Sequence, residues 1–93
     1  MTVALEIEQK LAVLQPSRLQ LQDDSALHAG HEGAKGGGGH YSLTIVSPQF
    51  SGKNIVARHR LIYAALGPMM QRQIHALAIR AYAPGEQEEF SQP

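Results

Sequence analysis

Phe50-Ser-Gly-Lys-Asn-Ile-Val-Ala-Arg-His-Arg-Leu-Ile-Tyr63, with His75-Ala-Leu77 behind it, is the stretch whose reading decides the fold. Gly52 marks a turn. Ile55, His59, Ile62 and Leu66 then recur at helical spacing, an apolar stripe interrupted only by His59. His59 therefore reads as a partly buried histidine, hydrogen-bonded inside the fold. Gly67-Pro68 ends this helix, and a glycine just past the end with proline at a new first turn predicts a second short helix over Met69–Gln73. Leu77, Ile79 and Ala81 alternate with Ala78, Arg80 and Tyr82 as a last strand, and His75 stands just ahead of it.

Upstream, Ala4, Ile7, Leu11 and Leu14 predict a first helix over Val3–Gln15, with Thr2 as its N-cap and Pro16 as its stop. Leu19 and Leu21 alternate with polar neighbours as a short half-buried strand. His40–Val46 is the clearest strand, with Tyr41, Leu43 and Ile45 facing one way. Between them Asp24–Gly39 has no periodicity and six glycines, four of them consecutive, which predicts a mobile loop with a function of its own. The order is α-β-β-α-α-β. It predicts an α+β domain in which helices pack on a three-stranded mixed sheet: two antiparallel strands, then a last strand parallel to the second. The domain is expected to span residues 1–85, with residues 24–39 as its glycine- and histidine-bearing loop and 86–93 as a fraying polar tail.

Composition narrows the function. The chain has no cysteine, so it offers neither a disulfide nor a thiolate ligand; any metal must be held by histidine, carboxylate or another molecule's ligand. No apolar run approaches the roughly 20 residues needed to cross a bilayer, and Glu6 and Glu8 interrupt any leader-like start. A cytoplasmic protein without membrane contacts is expected. The net charge is zero, yet between Gly33 and Gly85 lie six basic residues and no acidic one. No phosphate-loop motif is present, and Asp24, Ser25 and His28 have the residue types of a triad without an oxyanion site. The chain does not read as an enzyme.

Phe-x-Gly-x5-Arg-His-Arg-x2-Tyr-x-Ala-Leu followed by His-Ala-Leu resembles the signature of the BolA family, from about Leu11 to Pro84. The element order also resembles the type II KH fold, although Gly67-Pro-Met-Met70 lacks the second glycine of an RNA-gripping Gly-x-x-Gly loop. The family resemblance implies a partner of Cys-Gly-Phe-Ser type monothiol glutaredoxins. Such a partner, with glutathione, would share a [2Fe–2S] cluster with this chain in iron–sulfur trafficking or in iron and redox sensing. It equally implies a stress-response regulator of transcription acting near DNA, and a monomer or weak homodimer when alone. The resemblance makes His75 one cluster ligand; by itself a lone histidine there more often bonds a carbonyl. Asp24-Ser25-Ala26-Leu27-His28 matches the family's loop form, so His28 is implied as the second ligand. His31 makes a His-x2-His pair with His28 and competes for that place. His40 matches the histidine that opens this strand in relatives, and is read equally as a strand-edge residue packed near His75 or as a direct participant. The DNA reading instead takes residues 53–74 as a helix–turn–helix-like pair, with Lys53, Arg58, Arg60 and Arg72 on phosphates.

Overall fold

The computed structural model describes residues 2–25 and 39–86. Helix α1 spans Val3–Leu11, and the Thr2 hydroxyl caps it by accepting from the Leu5 amide at 3.1 Å. The helix is shorter than its apolar spacing predicts. Ala12–Leu14 tighten into a 3-10 turn, and Gln15 turns left-handed (φ 52°) ahead of Pro16. The proline removes a backbone donor and disfavours helical backbone in the residue before it, so the chain reverses there.

Strands β1 (Arg18–Asp23) and β2 (Gly39–Val46) pair antiparallel, with Leu19 opposite Ile45 and Leu21 opposite Leu43. Strand β3 (Ile74–Tyr82) lies parallel to β2 on its other side, giving the sheet order β1-β2-β3. Between β2 and β3 the chain runs through helix α2 (Ile55–Leu66). The alternation of side chains sends Leu19, Leu21, Tyr41, Leu43, Ile45, Leu77 and Ile79 to one face, where they meet Ile7, Leu11, Leu14, Phe50, Ile62, Leu66 and Met69. The opposite face carries Gln20, Gln22, Ser42, Thr44, Ala78 and Arg80, all exposed or half-exposed. The α+β class and mixed sheet are those the sequence predicts.

Two expectations change. The second short helix at Met69–Gln73 is a 3-10 turn over Gly67–Gln71. Gly67 adopts φ 57°, which ends α2, and Pro68 cannot donate to a continuing ladder. The inward stripe of α2 is Arg58, Ile62 and Leu66; Ile55 is 69% exposed and His59 is half-buried. Glu86, the first residue of the expected fraying tail, is bonded to Arg58, and residues 87–93 lie outside the described residues. The proposed mobility of the Asp24–Gly39 loop falls mostly outside the described residues. Its described ends are fixed: Asp24 and Ser25 are hydrogen-bonded, and Gly39 belongs to β2.

Candidate functional site

One end of the sheet gathers the exit of β1, the start of β2 and the start of β3. The Asp24 amide donates to the His40 carbonyl at 2.7 Å, and the His40 amide donates to Ser25 Oγ at 3.1 Å. Ser42 Oγ donates to Asp24 Oδ2 at 2.5 Å, and the Ser25 amide donates to Asp23 Oδ1 at 2.9 Å. On the other side the Gly39 amide donates to the Gln73 carbonyl at 2.8 Å. The hydroxyl and then the amide of Ser25 hold the Asp23 carboxyl below the usual carboxylate range. Burial, then the Asp23 charge, pushes the Tyr41 hydroxyl up.

His75 lies inside β3 rather than ahead of it, and the ladder accounts for its pose. Gly39 pairs with Ile74 and His40 with Ala76, so His75 is the extra residue of a bulge. A bulge bends the strand and re-aims a side chain. His75 is exposed, and its ring lies 5.0 Å from that of His40, tilted by 44°. His40 is half-buried; its Nε2 is buried without a hydrogen bond, while other contacts hold the residue. Gly39 completes the arrangement. A Cβ there would come within 2.5 Å of the Tyr41 ring, so glycine lets that core ring fold back beneath the strand entry.

The structure therefore brings His75 together with His40, as the packing reading of His40 expects. His28 and His31 lie outside the described residues. The chain leaves the sheet at Ser25 and rejoins it at Gly39, beside these two rings. Among the described residues no three His, Asp or Glu side chains converge on one point. His59 makes its ring contact with Tyr63, edge-on at 6.3 Å, in place of the internal hydrogen bond expected of it.

The basic set divides. Lys53, Arg60 and Arg72 are exposed, but Arg58 is only 9% exposed. Its guanidinium donates to the Lys53 and Ala81 carbonyls at 2.8 and 3.0 Å and to both Glu86 oxygens at 2.7 and 3.0 Å. Arg58 is thus withdrawn from the phosphate-contacting set, its donors already spent on the fold. The helix–turn–helix-like reading of residues 53–74 is corrected as well, since a five-residue 3-10 turn stands where a recognition helix would be.

Residues 11–86 match the family model described as BolA-like protein. The chain belongs to the BolA family. This BolA-like chain is 42% identical over 88 residues to SufE-like protein 1 of Arabidopsis thaliana, named chloroplastic/mitochondrial; the match covers 88% of this chain and 24% of that protein. It is 42% identical over 76 residues to the chloroplastic protein BOLA1 of the same plant, covering 78% of this chain and 48% of the relative. The chain thus spans about a quarter and about half of these two relatives. It is 37% identical over 87 residues to the DNA-binding transcriptional regulator BolA of Vibrio cholerae, covering 92% and 79%. The solved structure of BolA1 from Arabidopsis thaliana superposes with a TM-score of 0.77 at 36% identity, covering 92% of this chain and 96% of the other. That of the BolA domain of SufE1 gives 0.77 at 40%, covering 92% and 98%. No helix among the described residues is long and apolar enough to cross a membrane.

Proposed function

We propose that this BolA-like chain binds a monothiol glutaredoxin of the Cys-Gly-Phe-Ser type and shares a [2Fe–2S] cluster with it, as a trafficking or sensing module rather than an enzyme. The observation that carries this reading is the His75 imidazole, exposed on a bulge where the glycine-rich segment leaves and rejoins the sheet. Neutral imidazole is a borderline donor suited to iron, and a strand holds it in a narrow range of orientations. His28 is three residues from Ser25, a tether of at most about 10–11 Å, so it can be delivered to the same end of the sheet; His31 is the alternative. The chain has no thiolate, so the sulfur ligands come from the partner's cysteine and its glutathione. The cluster is cargo, and the chain's task is to present nitrogen donors to it. A cytoplasmic setting completes the proposal.

Mixing the protein with a monothiol glutaredoxin, glutathione, iron and sulfide tests it. The complex is expected to show a mixed Cys/His visible circular-dichroism spectrum that His75→Ala abolishes. A spectrum unchanged by His75→Ala would end the assignment.

A second reading, DNA binding, is favoured by the names of the Vibrio cholerae and Escherichia coli relatives, the latter 35% identical over 89 residues. Its contacts would be Lys53, Arg60 and Arg72 on phosphates, without Arg58 and without an inserted recognition helix. Affinity that falls steeply with salt, and less steeply once Lys53 and Arg60 are neutralised, is its expected signature.

A further inference from the structure

We infer that two copies of this chain join through the outer edge of β3, strand antiparallel to strand about a symmetry axis at Ala78, with the exposed flank of α2 packing across the same junction. The inference does not rest on cluster sharing. β3 is an edge of the sheet, and among the described residues no strand lies against it. Backbone groups along a strand alternate between its two sides. The Tyr82 carbonyl accepts from the Ser47 amide on the β2 side, and the Ala81 carbonyl accepts from Arg58 on the other. Leu77 and Ile79 have the parity of Ala81, so their amides and carbonyls point outward. Edge strands are ordinarily blunted by charge, by proline or by shortness. β1 follows that rule, with six residues that include Arg18 and Asp23. β3 runs nine residues, and Arg80 is its only Lys, Arg, Asp or Glu. Its end is closed, because Arg58 holds the Ala81 carbonyl and the Glu86 carboxylate accepts from the Ala83 amide. Its middle is open.

That middle complements itself, which favours a second copy over an unrelated strand. With Ala78 opposite its twin, Leu77 lies opposite Ile79 of the second copy, and each such pair exchanges both of its hydrogen bonds. The two Ala78 residues then meet at the close, non-hydrogen-bonded spacing of about 4.5 Å between Cα atoms. Arg80 falls opposite Ala76, ~13 Å along the strands from its own twin. A register centred on Arg80 would instead set like charges face to face. Ile55 and Val56, 69% and 56% exposed, border this edge beside Ala81 and Tyr82, and His59 borders it beside Ile79. Joining the sheets brings this flank of α2 alongside its twin and removes apolar surface from water. The net charge of the chain is zero, so no long-range repulsion opposes the approach.

Sedimentation equilibrium of the full chain is the test. The mass should rise from one copy toward two between about 10 µM and 1 mM. In a mixture of isotope-labelled and unlabelled chains, the Ala78 Hα should show an intermolecular contact to Ala78 of the second copy. Ala78 is exposed, so Ala78→Lys should leave the fold intact while setting two ammonium groups face to face. The dimer should then weaken by about tenfold or more. An equimolar mixture of Ala78→Lys and Ala78→Glu should recover association at least as tight as the parent's. Gln20→Lys, exposed on the same face of the sheet but on β1, should change association by less than about twofold. A single copy throughout this concentration range would overturn the inference, as would a dimer indifferent to Ala78→Lys. Protection of the Leu77 and Ile79 amides from exchange that did not vary with concentration would overturn it too, and would place a segment of the same chain, such as residues 87–93, on this edge.

Discussion

Arg58 is the side chain on which three segments converge. It ties the approach to α2 through the Lys53 carbonyl, β3 through the Ala81 carbonyl, and the chain beyond β3 through Glu86, whose carboxylate also accepts from the Ala83 amide. Arg58→Ala should destabilise the fold by about 1–3 kcal/mol in urea unfolding, the cost of leaving a part-buried acceptor unsatisfied. Glu86 gives a pH dependence. The Arg58 guanidinium, and then the Ala83 amide, hold its carboxyl below the ordinary value of 4.5. A carboxyl with a depressed folded value contributes stability above its unfolded value and loses it as pH falls through the folded value. Wild type should therefore exceed Glu86→Gln in urea midpoint at neutral pH, and the gap should close in acid. A gap that widened on acidification would contradict the pairing. Gly39→Ala should destabilise by roughly 1–3 kcal/mol, because the new methyl meets the buried Tyr41 ring.

Among the elements, α2 depends on its start. Asn54 Oδ1 accepts from the Ala57 amide at 2.9 Å and satisfies a donor the helix cannot. Asn54→Ala should cost about 1 kcal/mol, and Asn54→Asp should restore most of it, as thermal unfolding would record. The elements were largely legible because each carries a local signal: the Thr2 cap, Pro16, the alternation of β2, Gly67-Pro68. Two features were not. The bulge at Gly39/His40 is a property of two paired strands, and nothing in His75-Ala-Leu77 alone announces an extra residue. Periodicity also took Ile55 and His59 as the inward stripe of α2, where the helix turns Arg58 to the core side. An arginine reads as surface until its partner is known, and Glu86 stands 28 residues away in the chain. His75 was legible through the family's residue pattern, and its packing beside His40 through the place of both residues at strand starts; the bulge that sets their spacing needed the sheet.

At the scale of the whole molecule, a one-sided sheet packs its apolar face under two helices and collects histidines at one end. That end is unsuited to holding a [2Fe–2S] cluster alone. Each iron of such a cluster takes two ligands besides the bridging sulfides, in tetrahedral geometry. The chain has no thiolate to offer, and among the described residues no three histidines or carboxylates converge. Water cannot substitute for thiolate without inviting hydrolysis of the cluster. Reconstitution of the isolated chain with iron and sulfide should therefore leave it colourless after desalting. Adding a monothiol glutaredoxin with glutathione should generate colour that co-elutes with both proteins. His28→Ala should weaken the complex's spectrum less than His75→Ala, because His31 stands close enough in sequence to replace His28, whereas His75 is fixed by its bulge. A coloured, iron-loaded protein formed without any partner would refute the division of ligands between two chains.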